Sequence, residues 1–528
     1  MNPKPFDGRS HLGLGHRVSS KIVETETLRS LIGTFPRENA VVMAHGTFDL
    51  VHPGHLRHLA FAKSRGDILV VSITTDEHVQ KANMRPYVPQ ELRALNLAAL
   101  ELVDYVIVDG NPEPLRLLES LQPDIFVKGY EYGQSVLPEK TQREKETVEA
   151  YGGQIIFSPG DYVLSSSVLI ENDPPRIGLE KVLTLMEVEG LTFQNLLSSL
   201  QEAESLTISI VGDLIIDSLT TVSVIGGHRK TPTPSVRVEG HRKFVGGAGI
   251  VAKHLAGAGA QVRFHTIVGD DELGHYALED LARSGVDVSA DVSENRPTTH
   301  KNAVVADGYR LLRIDVVDNE TIDEDTKERM TSALADDDTQ VVIFSDFRHG
   351  IFNRDTIPAF LGRVPRGAFT VADSQVASRW GNILDFRGCD LITPNEQEVR
   401  FALGDQDSVI RPLGSRLYEE AGCRILMLKL GARGMMTFRD PAVESERRSF
   451  FAIDALSRGP VVDAVGSGDA LLAYSTITQM TTDNEVIASI VGTIAAGLAC
   501  EQEGNVPIAP AAVAARIMEL EKTSNYSS

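Results

Sequence analysis

From Glu38 onward, short apolar runs rich in β-branched residues alternate with stretches whose apolar positions recur at helical spacing. The runs "AVVMA", "DILVVSIT", "YVIVD", "DIFVKG" and "QIIFSP" predict a parallel sheet flanked by helices. Ahead of them, residues 1–20 read as a loose polar arm, and "KIVETETLRSLIGTF" reads as a short amphipathic helix. The alternation is broken at "ENDPPRIGLEK", where paired prolines and charges predict a linker. After a helical segment near "LTFQNLLSSLQEAES", a second series opens at "LTISIVGDLIID" and continues through "VRFHTIVG", "QVVIFSD", "FTVADS", "DLITPN" and "RILMLKLG". The pattern therefore predicts an arm over 1–20, an α/β domain over 21–173, a linker over 174–189 and a larger α/β domain over 190–525, with no short-period repeat.

Composition agrees with two folded domains: 528 residues, 42% hydrophobic, 23% charged and 6% aromatic. Lys and Arg total 51 against 73 Asp and Glu, and the net charge of −22 opposes broad binding to nucleic acid or an anionic membrane. Anionic ligands must then meet locally basic pockets. The three cysteines form no C-x-x-C pair, which suits a reducing cytoplasm. The N-terminus carries no apolar export core, and no later run is long enough to span a bilayer, so neither export nor insertion is expected.

Two turns concentrate chemistry. In "HGTFDLVHPGH", residues 45–55, Pro53 suits the first turn of a helix that runs through "GHLRHLAFAKSRG" to a terminating Gly66. His52 and His55, at i and i+3, share a face at that helix mouth, where free N–H groups attract anions. Gly46 lets the backbone approach a ligand. Four histidines between 45 and 58 also leave zinc open, although the i+4 spacing and a companion cysteine or carboxylate are missing. Ordinary surface or capping histidines are open as well. The second turn, "VVDAVGSGDALLAY", sets Gly466, Ser467 and Gly468 before Asp469 at the start of a helical run. Its amides can converge on an anion, with Asp469 placed to take a proton from a hydroxyl. Alone, such a turn is more often a plain loop.

"GTFDLVHPGH" resembles the signature of nucleotidyltransferases that act on sugar or alcohol phosphates. The blocks "KANMRPYVPQELR", "LELVDYVIV", "PDIFVKGYEY" and "GGQIIFSPGDYVLSSSVLI" follow in the order seen in cytidylyltransferases and in the adenylyltransferase domain of ADP-heptose synthesis, over about residues 21–172. The resemblance implies a Rossmann-like fold, with His52 and His55 stabilising charge at the α-phosphate and Lys81 and Arg85 holding phosphates. It implies nucleotide or phosphate contacts for Gly46, Thr47, Phe48, Asp49, Lys128, Gly129, Ser165, Ser166 and Ser167. A helix N-cap is an equal reading for any one of the serines. "YEY" replaces the family's small residue and aspartate, which leaves the base, ATP or CTP, open with ATP first.

The second half resembles ribokinase-like sugar kinases over about 190–520, through "SIVGDLIID", "VGGAGIVAKHLAGAGA", "LITPNEQEV" and "DAVGSGDA". This implies Asp469 as catalytic base and Gly466, Ser467 and Gly468 as an anion hole for the γ-phosphoryl group. Asn395 and Glu398 would organise Mg²⁺ through water, and Lys429 and Gly431 would adjoin the nucleotide. Asp217, Gly246 and Gly247 would face the sugar, with Asp217 as a strand-end cap and Glu398 as a solvated helix residue the plainer alternatives. "TTHKNAVVADGYRLLRIDVVD" and "VVIFSDFRHGIF" resemble heptose-7-phosphate 1-kinases and add Lys301, Arg313 and Asp346 as sugar contacts. Ile250 stands where that family has an asparagine, and "SDFRHG" where it reads S-D-Y-A-K-G. The implied protein is a cytoplasmic bifunctional transferase using ATP and Mg²⁺ on small sugar phosphates, with its domains in reversed order and a tendency to homo-oligomerise. The same chemistries on another sugar or polyol with CTP, or a dead regulatory pair of sites, are the alternatives.

Overall fold

Burial of the apolar runs on both faces builds the first sheet. In the computed structural model, which describes residues 16–79, 85–129, 138–158, 178–226, 235–375, 382–440, 448–456 and 459–526, the chain divides into two units. One comprises Met1–Val188 with Thr523–Ser528, the other Glu189–Lys522.

In the first unit the strands β1 (Val41–Gly46), β2 (Ile68–Thr74), β3 (Tyr105–Asp109), β4 (Ile125–Lys128) and β5 (Gln154–Phe157) are all parallel, in the order β3-β2-β1-β4-β5. The order reverses between β1 and β4, so a crevice opens at their carboxyl ends, where parallel α/β sheets take ligands. The expected amphipathic helix occupies Thr25–Ile32 and buries Leu28 and Ile32. The helix after the histidine turn runs Pro53–Lys63 and ends three residues short of Gly66. Gly66 serves close packing instead: a Cβ there would stand 2.6 Å from the Ala40 carbonyl oxygen. The predicted linker holds a helix of its own, Gly178–Val188, with Val182 and Met186 buried.

The second unit contains two sheets. Its strands are β6 (Thr207–Gly212), β7 (Leu214–Gly226), β8 (Ser235–Gly247), β9 (Gln261–Gly269), β10 (Asp287–Ser293), β11 (His300–Ala306), β12 (Tyr309–Val316), β13 (Val341–Asp346), β14 (Phe369–Ser374), β15 (Leu391–Ile392), β16 (Ile425–Lys429), β17 (Met435–Arg439) and β18 (Phe450–Ile453). The nine-stranded sheet has the order β10-β9-β6-β13-β14-β15-β16-β17-β18 and is parallel up to β16. At Gly434, φ +87°, the chain reverses and β17 and β18 continue antiparallel, with no room for a side chain against the Ile453 carbonyl. The smaller sheet, β12-β11-β7-β8, sets Lys301 of β11 directly beside Asp217 of β7.

Arg93, on the helix Gln90–Ala98, is fully buried in the first unit. It donates to the carbonyls of Thr47 (2.6 Å), Thr74 (2.9 Å) and Val88 (3.0 Å) and to Asp76 (2.6 Å), so one guanidinium ties the signature loop to the end of β2. Arg93→Leu removes the ion pair with Asp76 and the donor shared by three carbonyls, and is expected to cost about 3–5 kcal/mol. Urea unfolding of the first unit checks it; a loss below about 1 kcal/mol would contradict this role.

Candidate functional site

The first unit's candidate site grows from the end of β1. Phe48, at φ +48°, packs edge-on against His55 at 5.1 Å, and His52 caps the helix by accepting from the Gly54 amide at 3.1 Å. The His52 and His55 rings stack at 3.9 Å. The hydrogen bonds set their tautomers. Accepting at Nδ1 leaves His52 a free Nε2–H, whereas His55, whose Nδ1 donates to the Leu50 carbonyl at 3.0 Å, presents a lone pair at Nε2. Burial lowers the pKa of His52; burial, reinforced by His52, takes His55 to about 4, so both are neutral near pH 7.

Asp49 is buried and accepts from the amides of Tyr87 (3.0 Å) and Val88 (2.8 Å), which brings Arg85 alongside at 3.7 Å. Its carboxylate therefore shapes the loop rather than meeting a nucleotide phosphate. Arg85 keeps a buried Nη2 without a hydrogen-bond partner, and its charge reaches His55. The structure thus joins His52, His55 and Arg85 into one donor-bearing cluster. Gly46 ends β1, the Thr47 carbonyl is held by Arg93, and Gly129 follows β4. Lys128 is buried in an ion pair with Glu144 at 2.6 Å, so its charge is compensated within the fold. Lys81, Ser165, Ser166 and Ser167 lie outside the described residues.

The histidines do not gather around a metal. His45 bonds Ser72 (2.8 Å) and Thr74 (3.3 Å) and is pushed by burial to about 3, while His58 bonds Ser158 at 2.9 Å. Among the described residues no group of three potential metal-binding side chains occurs.

In the second unit Gly466, φ +79°, caps the buried helix Ser467–Thr482, and Asp469 stands in its first turn. The Ser467 hydroxyl donates to the Ala464 carbonyl at 2.8 Å, so that side chain is taken up by its own turn. Asp469 is buried with Oδ1 unpartnered, and burial, followed by the nearby Asp373 charge, pushes it up to about 7. Lys429 opposes that shift. It pairs with Asp373 at 2.7 Å, and its Nζ lies so close to Gly468 that a Cβ there would stand 3.4 Å away. Burial disfavours its charge, but Asp373, Glu398 and Asp469 outweigh this, and its pKa is raised. Asn395 and Glu398 form a reciprocal cap at the start of the helix Glu396–Leu403. Glu398 is buried, so the solvated-helix alternative falls. Gly431, φ +60°, opens the short turn before Gly434.

Around the expected sugar contacts, burial pushes Asp217 to about 6 against the opposing charge of Lys301. Gly246 closes on it: a Cβ there would collide with Asp217 Oδ2. Gly247, φ +59°, caps the helix Ala248–Gly257, in which Ile250 is buried. Arg313 is exposed and pairs with Asp315 at 2.8 Å. Asp346 corrects an expectation. Both its oxygens are engaged, by the Arg348 amide (2.8 Å), the Ser374 hydroxyl (2.7 Å) and the Arg348 side chain (2.8 Å), so it fixes Arg348 rather than a sugar.

Three further residues gather around Lys301 and Asp217. Asp213 accepts from the amides of Phe347 and His349 through Oδ2 and leaves Oδ1 buried and free. His349, bonded to Asn319 at 2.8 Å, is driven by burial to about 3 and leaves Nε2 free. Asn505 donates to Asp217 at 2.6 Å. Asp213 stands within the quoted "VGDLIID", but no local pattern distinguishes it, and Asn505 carries no motif at all.

Fold and sites together define a two-domain α/β protein in which a nucleotidyltransferase-like unit precedes a ribokinase-like unit. Residues 43–176 match the cytidylyltransferase-like family, and residues 206–504 match the pfkB family of carbohydrate kinases. The second match takes in more than half of the chain, which therefore belongs to the pfkB carbohydrate kinase family. The bifunctional protein HldE of Geobacter metallireducens is 38% identical over 148 residues, 27% of this chain and 29% of that protein. HldE of Pelobacter propionicus is 28% identical over 312 residues, 58% of this chain and 62% of that protein. The chain thus matches less than two thirds of the length of either relative. The crystal structure of phosphofructokinase-2 from Escherichia coli with substrates and products shares the second unit's fold, at a TM-score of 0.50 and 15% identity over 60% of this chain and all of that one.

The buried imidazole pair makes a direct prediction. In histidine-labelled NMR titrations His55 is expected to stay neutral down to about pH 4; an inflection near 6.5 would contradict the described packing.

Proposed function

We propose that the chain is a bifunctional enzyme of nucleotide-sugar synthesis. The second domain phosphorylates a sugar with ATP, heptose 7-phosphate at its anomeric hydroxyl being the first candidate. The first domain transfers a nucleotidyl group from an NTP, ATP first, to a sugar 1-phosphate and releases pyrophosphate. The observation that carries the reading is the buried, unpartnered Oδ1 of Asp469 in the first turn of a helix that opens on Gly466, Ser467 and Gly468.

In the kinase step the sugar hydroxyl gives its proton to Asp469 as its oxygen attacks the γ-phosphorus and the bond to the ADP oxygen breaks. Amides of the Gly466–Gly468 turn and the Lys429 ammonium face the charge on the transferring group. Carboxylate and amide oxygens at Asn395 and Glu398, held together at one helix start, suit Mg²⁺ bound through water. When bound, Mg²⁺ supplies screening of the nucleotide phosphates. The free Oδ1 of Asp213 and Nε2 of His349 are both acceptors, as a hydroxyl-rich substrate requires. Lys301, beside Asp217, and the exposed Arg313 provide cations for a phosphosugar.

In the nucleotidyl step a sugar phosphate oxygen attacks the α-phosphorus and pyrophosphate leaves, with no enzymic nucleophile required. His52 Nε2–H and Arg85 Nη2 are the ready donors, and phosphate charge beside His55 would draw a proton onto its Nε2. Three free cysteines support a reducing, cytoplasmic setting. Among the described residues no helix is long and apolar enough to cross a membrane. Exposed apolar side chains on the smaller sheet, among them Val238, Leu312 and Ile314, support a homo-oligomer.

The test assays ADP and pyrophosphate release with Mg-ATP, Mg-CTP and a panel that includes D-glycero-D-manno-heptose 7-phosphate and sugar 1-phosphates. Asp469→Asn is expected to lower kinase kcat by about 10²–10⁴-fold and spare pyrophosphate release. His52→Ala is expected to lower pyrophosphate release by about 10²–10³-fold and spare the kinase. Turnover confined to another sugar or to CTP would keep both chemistries and change the substrates; silence on every sugar would favour a regulator. Because Asp469 must be ionised to accept the proton, kinase activity should be half-maximal near pH 7, rise above it and fall away below it. A flat profile between pH 5.5 and 8 would remove Asp469 as the base.

A further inference from the structure

Asn505 follows the helix Glu485–Cys500 and lies 288 residues from Asp217 in the chain, yet its Nδ2 donates to Asp217 Oδ2 at 2.6 Å. Its Oδ1 is buried without a partner. Two glycines from separate elements close on this one amide. A Cβ at Gly246 of β8 would stand 2.6 Å from Nδ2, and a Cβ at Gly466 would stand 2.5 Å from Oδ1. Gly246 belongs to the sugar side, and Gly466 caps the helix that carries Asp469. The amide's orientation follows from chemistry, because the reverse would press its carbonyl oxygen against the Asp217 carboxylate.

We propose that Asn505 is a positioning residue of the kinase reaction, holding Asp217 at a set distance from the Gly466 turn so that a sugar grasped by Asp217 lies in line with the transferring phosphoryl group. The inference rests on the kinase reading above. Misplacement by about 1 Å is enough to cost such a reaction heavily, and a rigid amide wedged between two glycine backbones is a short way to prevent it. At 246 and 466 a side chain would also press on Asn505, beyond the Asp217 contact at 246 and the positive φ at 466 that already favour glycine.

Asn505→Ala and the near-isosteric Asn505→Asp separate positioning from folding. With a sugar that the wild type phosphorylates, both are expected to raise the sugar KM by about tenfold or more, Asp more than Ala through repulsion of Asp217, while the ATP KM stays within about twofold. Equal rises in both KM values, or an unmoved sugar KM, would overturn the proposal. A crystal structure of Asn505→Ala gives a readout independent of turnover: Asp217 should leave its place beside Gly246, and an unmoved Asp217 overturns the proposal. Failure of the wild type on every sugar would count against the kinase reading itself, and the Asn505→Ala structure would then decide the positioning contact alone.

Discussion

Keeping the Asp469 carboxylate out of water is the constraint on which the second unit's organisation turns. A buried carboxylate costs several kcal/mol unless compensated, and here Lys429 is shared between Asp469 and the more intimately paired Asp373. That partial compensation leaves Asp469 near 7, where it can be charged yet still accept a proton. The arrangement needs the carboxyl ends of β14 and β16 to meet the start of the helix Ser467–Thr482. Between those strands runs β15, and Thr393 beyond its end donates to Asp373 at 2.9 Å. A slip of one residue in either outer strand would turn Asp373 or Lys429 to the other face.

The first unit solves a related problem with neutral groups. His52 and His55 lose their charge through burial, so the stacked pair holds no unpaired imidazolium. Arg93 and Asp49 then hold the loop by hydrogen bonds that reach between β2 and the residues around Val88. In both units the candidate residues stand where parallel strands end, and in both sheets the strand order reverses nearby, between β1 and β4 and between β6 and β13.

Much of this was legible along the chain. The apolar runs marked the central parallel strands because burial on both faces leaves continuous hydrophobic stretches. The histidine and glycine turns were legible because helix N-termini need particular residues within a few positions. Less visible were β17 and β18, whose antiparallel return depends on one glycine and on neighbours distant in sequence, and the half-exposed smaller sheet. His45 resembled its neighbouring histidines in the sequence, yet Ser72 and Thr74 on the adjacent strand occupy both its ring nitrogens. Asp346 and Asp469 are both buried aspartates, and only their partners separate a carboxylate spent on Arg348 from one left with a free oxygen.

The sequence by itself determined the two α/β domains, their order, and the short motifs whose residues act within one turn of backbone. Those are local matters of periodicity and spacing. Tertiary structure alone decided which of the charged groups are free to act: Lys128 is compensated by Glu144, Asp49 by two amides, and Asp217 is steadied by Asn505. Pairing, burial and the resulting proton affinities depend on residues brought together from far apart in the chain, and a pattern of neighbours along the backbone carries no record of them.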